Sequence, residues 1–339
     1  MLIFSAEFLF KDKFMKKITK ILSVLAVFAF ASSSAIYSQN PPKGFVKIPA
    51  ASIKGNETWF PESKVFVSGR RLEIAPFYMS DHEVTRGEYK AVIGSDPSFT
   101  GTYHQHGSIY RYDKYGVEYN CPVTRVSWFD ALVYCNTLSI KEGFTPCYAI
   151  GGETDPAKWE RKKEKISKRK AERLYKIWDN ATCDFTADGY RLPTEAEWEW
   201  AARGGESYRY AGSNDDEKTA WVSGYFNPQR TSEVKLKKPN GYGLYDMCGN
   251  VAEWCWDRSG EYRGFEEHET ADSPLYFFYL CEDISSDTPA TGLASGVRRC
   301  RRGGFFDSPP SRSDVVFREA RTPDSRQSTG GFRVVRAAK

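Results

Sequence analysis

The stretch of sequence that decides the fold lies at residues 190–205 and reads YRLPTEAEWEWAARGG. Thr194 stands where a helix N-cap needs a hydroxyl, and Glu195 and Glu197 place negative charge at the positive end of the helix dipole. Gly204 supplies the left-handed backbone conformation that commonly ends a helix. The stretch therefore predicts a short helix with a sharp start and a sharp stop.

The same start signals occur twice upstream. Thr85, followed three residues later by Glu88, forms a capping box before a helix of about eight residues. Ser127 and Asp130 open a further helix over residues 128–141. Each helix is therefore predicted from its own cap residues.

Strands are predicted to be short. Residues 45–49, 65–67 and 74–78 alternate in the manner of edge or half-buried strands. From Ala211 onward no long helical period is visible, and Gly, Pro, Asn, Ser and aromatic residues dominate, as is typical of irregular loops. These patterns predict an α+β fold with few helices, short twisted strands and much irregular loop.

Composition excludes several classes of protein. The chain has 339 residues, of which 40% are hydrophobic and 27% charged, typical of a folded chain. Without residues 1–38, which carry five lysines and two acidic residues, 43 basic and 42 acidic residues remain. A chain so close to neutrality argues against nucleic acid as a partner. Only one apolar stretch is long, which excludes a multi-span membrane protein.

Residues 1–38 are predicted to be a signal peptide, and Met15 can be the true start. Three lysines precede an apolar run at residues 21–31, and small residues follow, which favours cleavage after Ala35 or Ser38. An uncleaved anchor is the alternative, although the run is short for a bilayer. We expect an exported bacterial protein, periplasmic, cell-surface or extracellular, with no membrane span after cleavage.

All eight cysteines lie in the part of the chain that is predicted to be exported. An even number of cysteines in an exported chain predicts disulfides, and we expect most of them to be oxidised. Cys147 and Cys183 flank the charged insertion at residues 155–180 and are predicted to bond across it. That insertion is strongly basic, and it is either a docking helix for an anionic surface or, as we favour, a solvated surface helix. The cysteines are Cys121, Cys135, Cys147, Cys183, Cys248, Cys255, Cys281 and Cys300.

Seven segments, in this order, resemble one known family. They are residues 78–89 (YMSDHEVTRGEY), 122–131 (PVTRVSWFDA), 190–205, 240–254 (NGYGLYDMCGNVAEW), 302–304 (RGG), 322–324 (TPD) and 331–335 (GFRVV). The chain resembles the formylglycine-generating enzyme, or sulfatase-modifying-factor, family. The resemblance runs over residues 43–336 and implies one large domain with a C-type-lectin-like fold.

The resemblance implies a copper enzyme only where two cysteines follow the Gly-Gly pair. Formylglycine-generating enzymes oxidise a substrate cysteine with copper(I) and dioxygen, and two thiolates hold the soft metal. Counted from Gly304, the two cysteine positions are Ser308 and Ser313, and Cys300 is out of register. Hydroxyl groups are poor copper(I) ligands. We therefore expect no copper site and no catalytic residues.

The resemblance also implies a calcium site. By match with the family, the side chains of Asp246 and Glu253 and the carbonyl groups of Gly249 and Val251 would be its ligands. Carboxylate and carbonyl oxygens suit a hard cation. Alternatively, Glu253 pairs with an arginine or caps backbone amides, and the sequence leaves the two open.

Residues 302–336 form a distinctive C-terminal segment. Family-like positions at both ends enclose substituted positions, which resembles the variable proteins of diversity-generating retroelements. Those proteins use this fold to present a hypervariable ligand-binding face. We predict that the substituted positions contact a ligand and contribute little to folding: Phe305, Phe306, Asp307, Ser308, Ser311, Arg312, Ser313, Asp314, Phe317, Glu319, Arg321, Gln327 and Ser328.

The sequence thus yields a functional hypothesis and two alternatives. The hypothesis is a variable receptor that binds a protein or glycan ligand as a monomer. The first alternative is a binder with a fixed surface, and the second is a copper oxidase that modifies sulfatase cysteines.

Overall fold

The computed structural model describes most of the chain after residue 40. The predicted signal peptide lies outside the described residues, as do residues 161–166 of the charged insertion. No helix within the described part is long and apolar enough to cross a membrane. The described residues are 41–98, 102–105, 108–111, 119–160, 167–222, 230–260, 281 and 283–338.

Helices begin where their cap residues predict. Thr85, Ser127 and Thr194 each accept a hydrogen bond from the backbone amide three residues on, and each forms a complete capping box. Gly204 ends its helix in the left-handed conformation, with φ of 63°. The three predicted helices are therefore confirmed. Within the described residues the α-helices are α1 (Arg86–Ile93), α2 (Trp128–Lys141), α3 (Lys168–Asp179), α4 (Glu195–Arg203) and α5 (Asp216–Thr219).

Strands are short, as predicted, but two predicted strands differ from the structure. The strand predicted at residues 74–78 is divided between Leu72–Ile74 and Phe77–Ser80, because Pro76 has no amide hydrogen to donate to a strand partner. Residues 65–67 form no strand. The Ser63 hydroxyl accepts hydrogen bonds from the amides of Val65 and Phe66, at 3.0 and 2.7 Å, so these amides are not available to a strand partner. The strands are β1 (Phe45–Ile48), β2 (Ala51–Ile53), β3 (Leu72–Ile74), β4 (Phe77–Ser80), β5 (Thr102–Gln105), β6 (Ser108–Arg111), β7 (Tyr148–Ala149), β8 (Thr182–Cys183), β9 (Ala220–Trp221), β10 (Cys248–Gly249), β11 (Ala252–Ser259), β12 (Arg298–Arg302), β13 (Arg318–Arg321), β14 (Gly330–Gly331) and β15 (Val335–Ala337).

Two small sheets organise the structure. The central sheet has the order β13-β12-β11-β14; β12 runs antiparallel to both of its neighbours, and β14 runs parallel to β11. A three-stranded antiparallel sheet, β1-β4-β15, joins the start of the described chain to its end. Because the C-terminal residues enter both sheets, they belong to the scaffold as well as to the surface.

The hydrophobic core contains large aromatic side chains from widely separated segments. Trp128, Trp198, Trp254 and Phe332 are fully buried. The indole N–H of Trp254 donates to the carbonyl of Val126 at 3.0 Å, which joins the central sheet to the start of α2. Burial together with a satisfied polar atom is the usual arrangement for a core tryptophan.

The charged insertion includes a surface helix. Half of the side chains of α3 are exposed, whereas Leu174 and Trp178 are buried. The Trp178 indole N–H donates to the carbonyl of Glu160 at 2.8 Å, and the Trp178 ring meets Trp159 edge-on. One apolar edge thus holds α3 to the protein while its lysines face solvent, as the solvated-helix alternative predicts.

Replacing the buried Phe332 should destabilise the protein strongly. Its ring packs edge-on against Tyr89 and Tyr134, at centroid distances of 6.4 and 5.2 Å. We expect Phe332→Ala to lower the free energy of unfolding by about 3–5 kcal/mol, measured by urea denaturation. Phe60→Ala is the matched control, because Phe60 is 56% exposed. Equal effects of the two substitutions would contradict the placement of Phe332 in the core.

Candidate ligand-binding site

Buried ion pairs hold α4 against the central sheet. Glu195 accepts two hydrogen bonds from the guanidinium of Arg318, at 2.8 and 2.7 Å. Glu199 accepts from Arg302 at 2.8 Å and from Arg203 at 2.7 Å. The bidentate Glu195–Arg318 pair fixes orientation as well as charge. These ion pairs fix the two strands, β12 and β13, between which most of the predicted ligand-contacting residues lie.

The pKa values of two carboxyl groups in this cluster are shifted in opposite directions. Burial is the largest influence and raises the pKa of Glu195, but the charges of Arg318 and Arg302 and the hydrogen bonds to the carboxylate together outweigh burial and hold that pKa at about 2. Asp257 behaves in the opposite way, because burial and then the nearby charge of Glu195 raise its pKa to about 7. The Asp257 carboxyl accepts a hydrogen bond from the Glu195 amide at 2.8 Å. Asp257 therefore resists ionisation where Glu195 remains charged.

The two copper-ligand positions do not fit copper(I). Ser308 and Ser313 are fully buried, and the Ser308 hydroxyl accepts from the Phe305 amide at 3.1 Å. Across the described residues, only Glu195, Cys281 and Cys300 form a group of three that could share a metal ion. That group includes neither of the two copper-ligand positions, Ser308 and Ser313. Hydroxyl groups are hard donors, whereas copper(I) prefers thiolates.

The side-chain oxygens of the predicted calcium ligands accept hydrogen bonds from donors of the protein. Both carboxylate oxygens of Glu253 accept from Arg333 at 2.7 Å, and one of them also accepts from the Trp198 indole at 2.7 Å. The two oxygens of Asp246 accept from the Trp221 indole at 3.0 Å and from the Lys235 amide at 2.7 Å. Glu253 thus forms the arginine pair that the sequence left open as an alternative, and calcium binding stays a prediction.

Gly249 and Val251, whose carbonyl groups were predicted to bind calcium, both have roles in the packing of the protein. A Cβ atom on Gly249 would lie 1.8 Å from the carbonyl oxygen of Trp221, so only glycine fits there. The Val251 amide donates at 3.1 Å to Glu83, a fully buried carboxylate that also accepts from Asn250 at 2.6 Å. Burial, and then the charges of neighbouring acidic groups, raise the pKa of Glu83. Sequence reasoning did not single out Glu83, which lies 167 positions before its partner Asn250 along the chain.

Most of the predicted ligand-contacting residues are buried, which corrects the expectation that they form an exposed face. Most of residues 303–317 fold inward between β12 and β13, where their side chains complete the core, whereas Pro309 and Ser311 remain exposed. Burial of this kind makes a side chain part of the scaffold. The buried residues are Phe305, Phe306, Ser308, Arg312, Ser313, Phe317 and Glu319.

The exposed and half-buried remainder lies on both sides of β13. Ser311 and Ser328 are exposed, and Asp307, Asp314, Arg321 and Gln327 are half-buried. We call residues 322–329 the C-terminal loop. Its Arg326 forms two hydrogen bonds with Asp130 on α2, at 2.7 and 2.9 Å.

The backbone also anchors the C-terminal loop. The amide of Arg125 donates to the carbonyl of Gln327 at 2.9 Å, and the amide of Trp128 donates to the carbonyl of Pro323 at 3.0 Å. The loop is therefore fixed at several points while several of its side chains remain accessible.

A cavity of about 730 Å³ opens beside the C-terminal loop. Sites for small molecules or single side chains commonly fall in this size range and combine apolar walls with a few polar groups. Burial raises the pKa of Tyr175 to about 12, so its hydroxyl keeps its proton and can donate a hydrogen bond. Sequence reasoning missed this cavity because it joins α1, α2, α3 and the loop. Its lining includes Tyr89, Phe129, Glu172, Tyr175, Asp324 and Arg326.

All eight cysteines are free thiols in the structure. The predicted bond between Cys147 and Cys183 is not formed, because Tyr148 rather than Cys147 lies opposite Cys183 in the β7–β8 pair. The Cys147 thiol instead donates to the carbonyl of Gly189 at 3.3 Å. The register of two short strands thus separates the two sulfur atoms.

The fold and the site together define a class of protein. Three capped helices and several small sheets joined by long ordered loops form the C-type-lectin-like α+β fold of formylglycine-generating enzymes. The profile of the sulfatase-modifying factor enzyme 1-like domain matches residues 34–338. The chain belongs to that family.

Two proteins of similar sequence are named for different functions, one as a chaperone and one as an enzyme. The chaperone protein LppX of Paenibacillus barcinonensis is 34% identical over 218 residues, which cover 58% of this chain and 68% of that protein. The formylglycine-generating enzyme of Streptomyces coelicolor is 38% identical over 176 residues, which cover 46% of this chain and 49% of the enzyme. The chain therefore spans about half of that enzyme.

Among solved structures, variable protein 1 of Treponema denticola has the same fold. Its TM-score is 0.63 and its sequence is 31% identical; the match covers 87% of this chain and 95% of that protein. The resemblance to a variable protein that the C-terminal segment indicated is thus found over nearly the whole length of the described domain.

Substitutions in the C-terminal segment should affect stability little at exposed positions and strongly at buried ones. Asp324 and Ser328 are exposed, whereas Arg312 is 7% exposed. We expect the double variant Asp324→Ala/Ser328→Ala to change the free energy of unfolding by less than about 0.5 kcal/mol, and Arg312→Ala to lower it by about 1–3 kcal/mol. Thermal and urea denaturation measure both. A stable Arg312→Ala protein would restore the original prediction that this position only displays a side chain.

Stability should depend on pH through Asp257. Its pKa in the folded state is about 7, above the ordinary value near 4, so the folded protein holds a proton that the unfolded chain has lost between these values. This group therefore makes the protein less stable as pH rises through that range.

Asp257→Asn mimics the protonated form and should remove this loss. We expect the stability of the variant relative to the native protein to increase from pH 5 to pH 7, measured by urea denaturation at each pH. A difference that is independent of pH would contradict the raised pKa of Asp257.

Proposed function

We propose that the chain is an exported, non-catalytic binding protein that uses its C-type-lectin-like scaffold to present the C-terminal loop and the adjoining cavity to a protein or glycan ligand. The observation that carries this proposal is the pair of buried hydroxyl groups, Ser308 and Ser313, at the positions of the copper thiolates. Family membership alone does not bring the oxidase activity with it, because function depends on the site and not on the fold.

Similarity to a variable protein supports the binding role. The Treponema denticola protein covers the same domain and is more than 30% identical. In this chain the C-terminal loop has accessible side chains on an anchored backbone, which is what a surface needs if it is to change its contacts without losing the fold. We propose that ligand contacts vary within residues 322–329, whereas residues 303–317 are restrained by burial.

The chemistry of the cavity favours a ligand group with an apolar body and hydrogen-bonding edges. Phe129 and Tyr175 provide aromatic surface and meet edge-on at a centroid distance of 5.8 Å. Asp324 and Glu172 add acceptors at the rim, and Arg326 adds a donor. Aromatic side chains combined with a few directional polar groups are typical of binding sites for sugars and for protein side chains.

Diversification of the C-terminal segment has a direct test in DNA. A variable protein of a diversity-generating retroelement requires a near-repeat of the codons for residues 300–339 beside a gene for a reverse transcriptase. If sequencing of the surrounding DNA finds neither, the protein is a binder with a fixed surface.

Copper chemistry distinguishes the proposal from the oxidase alternative. We expect purified protein to take up less than 0.1 equivalent of copper(I) from a chromogenic chelator, and to form no aldehyde on a cysteine-containing sulfatase peptide. The Streptomyces coelicolor enzyme, assayed in parallel, is the positive control. Stoichiometric copper uptake with aldehyde formation would overturn the non-catalytic proposal.

Ligand binding is tested with a glycan array and a displayed peptide library. We expect hits on the native protein to lose at least tenfold in affinity with Asp324→Arg or Tyr175→Ala, because both residues line the cavity. Leu236→Ala is the control, since Leu236 is 64% exposed and does not line the cavity. Hits that bind all variants equally would place the ligand elsewhere and contradict the site.

A further inference from the structure

Two cysteines outside the proposed binding site lie in contact. The sulfur atoms of Cys281 and Cys300 are 3.3 Å apart, and the Cys281 thiol also lies 3.1 Å from the carbonyl oxygen of Glu319. Cys300 is fully buried on β12, in the interior of the central sheet, whereas Cys281 is half-buried in the connection from β11 to β12. One sulfur is therefore accessible to a reagent, and the other lies directly behind it.

A metal ion between these sulfurs is disfavoured. The third group near them is Glu195, but Arg318 donates to both of its carboxylate oxygens. Arg302 also approaches Glu195, at 3.5 Å. The guanidinium charges repel a cation, and no oxygen of Glu195 is left without a donor. Two thiolates on a tetrahedral zinc ion at about 2.3 Å would also stand farther apart than these sulfurs.

We propose that Cys281 and Cys300 form a disulfide in the mature protein. The S–S bond length is about 2.05 Å, so the sulfurs must approach by little more than 1 Å. Rotation of the Cys281 side chain can supply this movement, because Cys281 lies in a connection while Cys300 is fixed within β12. The bond is distinct from the predicted Cys147–Cys183 pair and involves neither of those residues.

The oxidant is a disulfide, either that of a dithiol oxidase or oxidised glutathione. The Cys281 thiolate attacks one sulfur of the oxidant, forms a mixed disulfide and releases one thiolate, which takes up a proton from water. The Cys300 thiol then loses its proton to water, attacks the Cys281 sulfur and releases the second thiolate. The protein loses two electrons and two protons, and the oxidant becomes two thiols.

The bond would brace the start of the C-terminal loop. It closes the connection of residues 281–300, and Cys281 contacts Glu319 on β13, the strand that leads directly into that loop. Glu319 is itself buried and paired with Arg301 on β12. The disulfide therefore adds a covalent link at the point where the scaffold passes into the exposed segment.

The experiment uses the full chain, purified reduced and then equilibrated in glutathione redox buffer. Free thiols are blocked with iodoacetamide under denaturing conditions, and peptides are mapped without reduction. We expect one cross-linked peptide that joins Cys281 to Cys300, and a melting temperature about 5 °C higher than that of the reduced protein. The cross-linked peptide should be absent from Cys281→Ser, whose melting temperature should not respond to the redox buffer.

Cys183→Ser is the matched control, because Cys183 is also half-buried and is not one of the two cysteines of the proposed bond. It should retain both the cross-link and the thermal shift. Alkylation of both Cys281 and Cys300 in folded, oxidised protein would overturn the proposal. Stoichiometric zinc or copper that co-purifies and is lost in Cys281→Ser would also overturn it, in favour of a metal site. None of these outcomes depends on the ligand-binding proposal.

Discussion

Burial of two carboxylates on α4 is the constraint on which the rest of the structure depends. Glu195 and Glu199 are removed from water, and each is stabilised by a guanidinium from the central sheet, Arg318 and Arg302 respectively. A buried charge that loses its partner costs about 3–5 kcal/mol, so helix and sheet cannot separate without a large penalty. The pairs also hold both ends of residues 303–317, because Arg302 precedes that stretch and Arg318 follows it.

This constraint decides which part of the C-terminal segment reaches solvent. Since β12 and β13 are both tied to α4, residues 303–317 between them turn into the interior, where Phe305 and Ser313 are buried. Ser311 is exposed within this stretch, but the longer accessible part of the segment follows β13, as the C-terminal loop. There Arg326 and Asp130 form a half-exposed pair, which is weaker than the buried ones and leaves neighbouring side chains accessible.

Features that depend on a few neighbouring residues could be predicted from the sequence. The capping boxes at Thr85, Ser127 and Thr194 involve residues three positions apart, and all three helices begin where they indicate. The strand predicted at residues 65–67 failed for an equally local reason, the Ser63 hydroxyl that takes two amides. Alternating hydrophobicity does not reveal such a side-chain acceptor, so the pattern alone was insufficient.

By itself, the sequence determined the α+β class, the three capped helices, the family and the hydroxyl groups at the two copper positions. Only the tertiary structure decided that Phe305 and Phe317 belong to the core, that Glu253 is paired with Arg333, and that a cavity lies beside the C-terminal loop. The physical reason is separation along the chain. Caps and turns are stabilised within one helical turn. Burial and ion pairing instead join residues that are far apart along the chain, such as Glu195 and Arg318, which are 123 positions apart. Only tertiary packing brings such residues together.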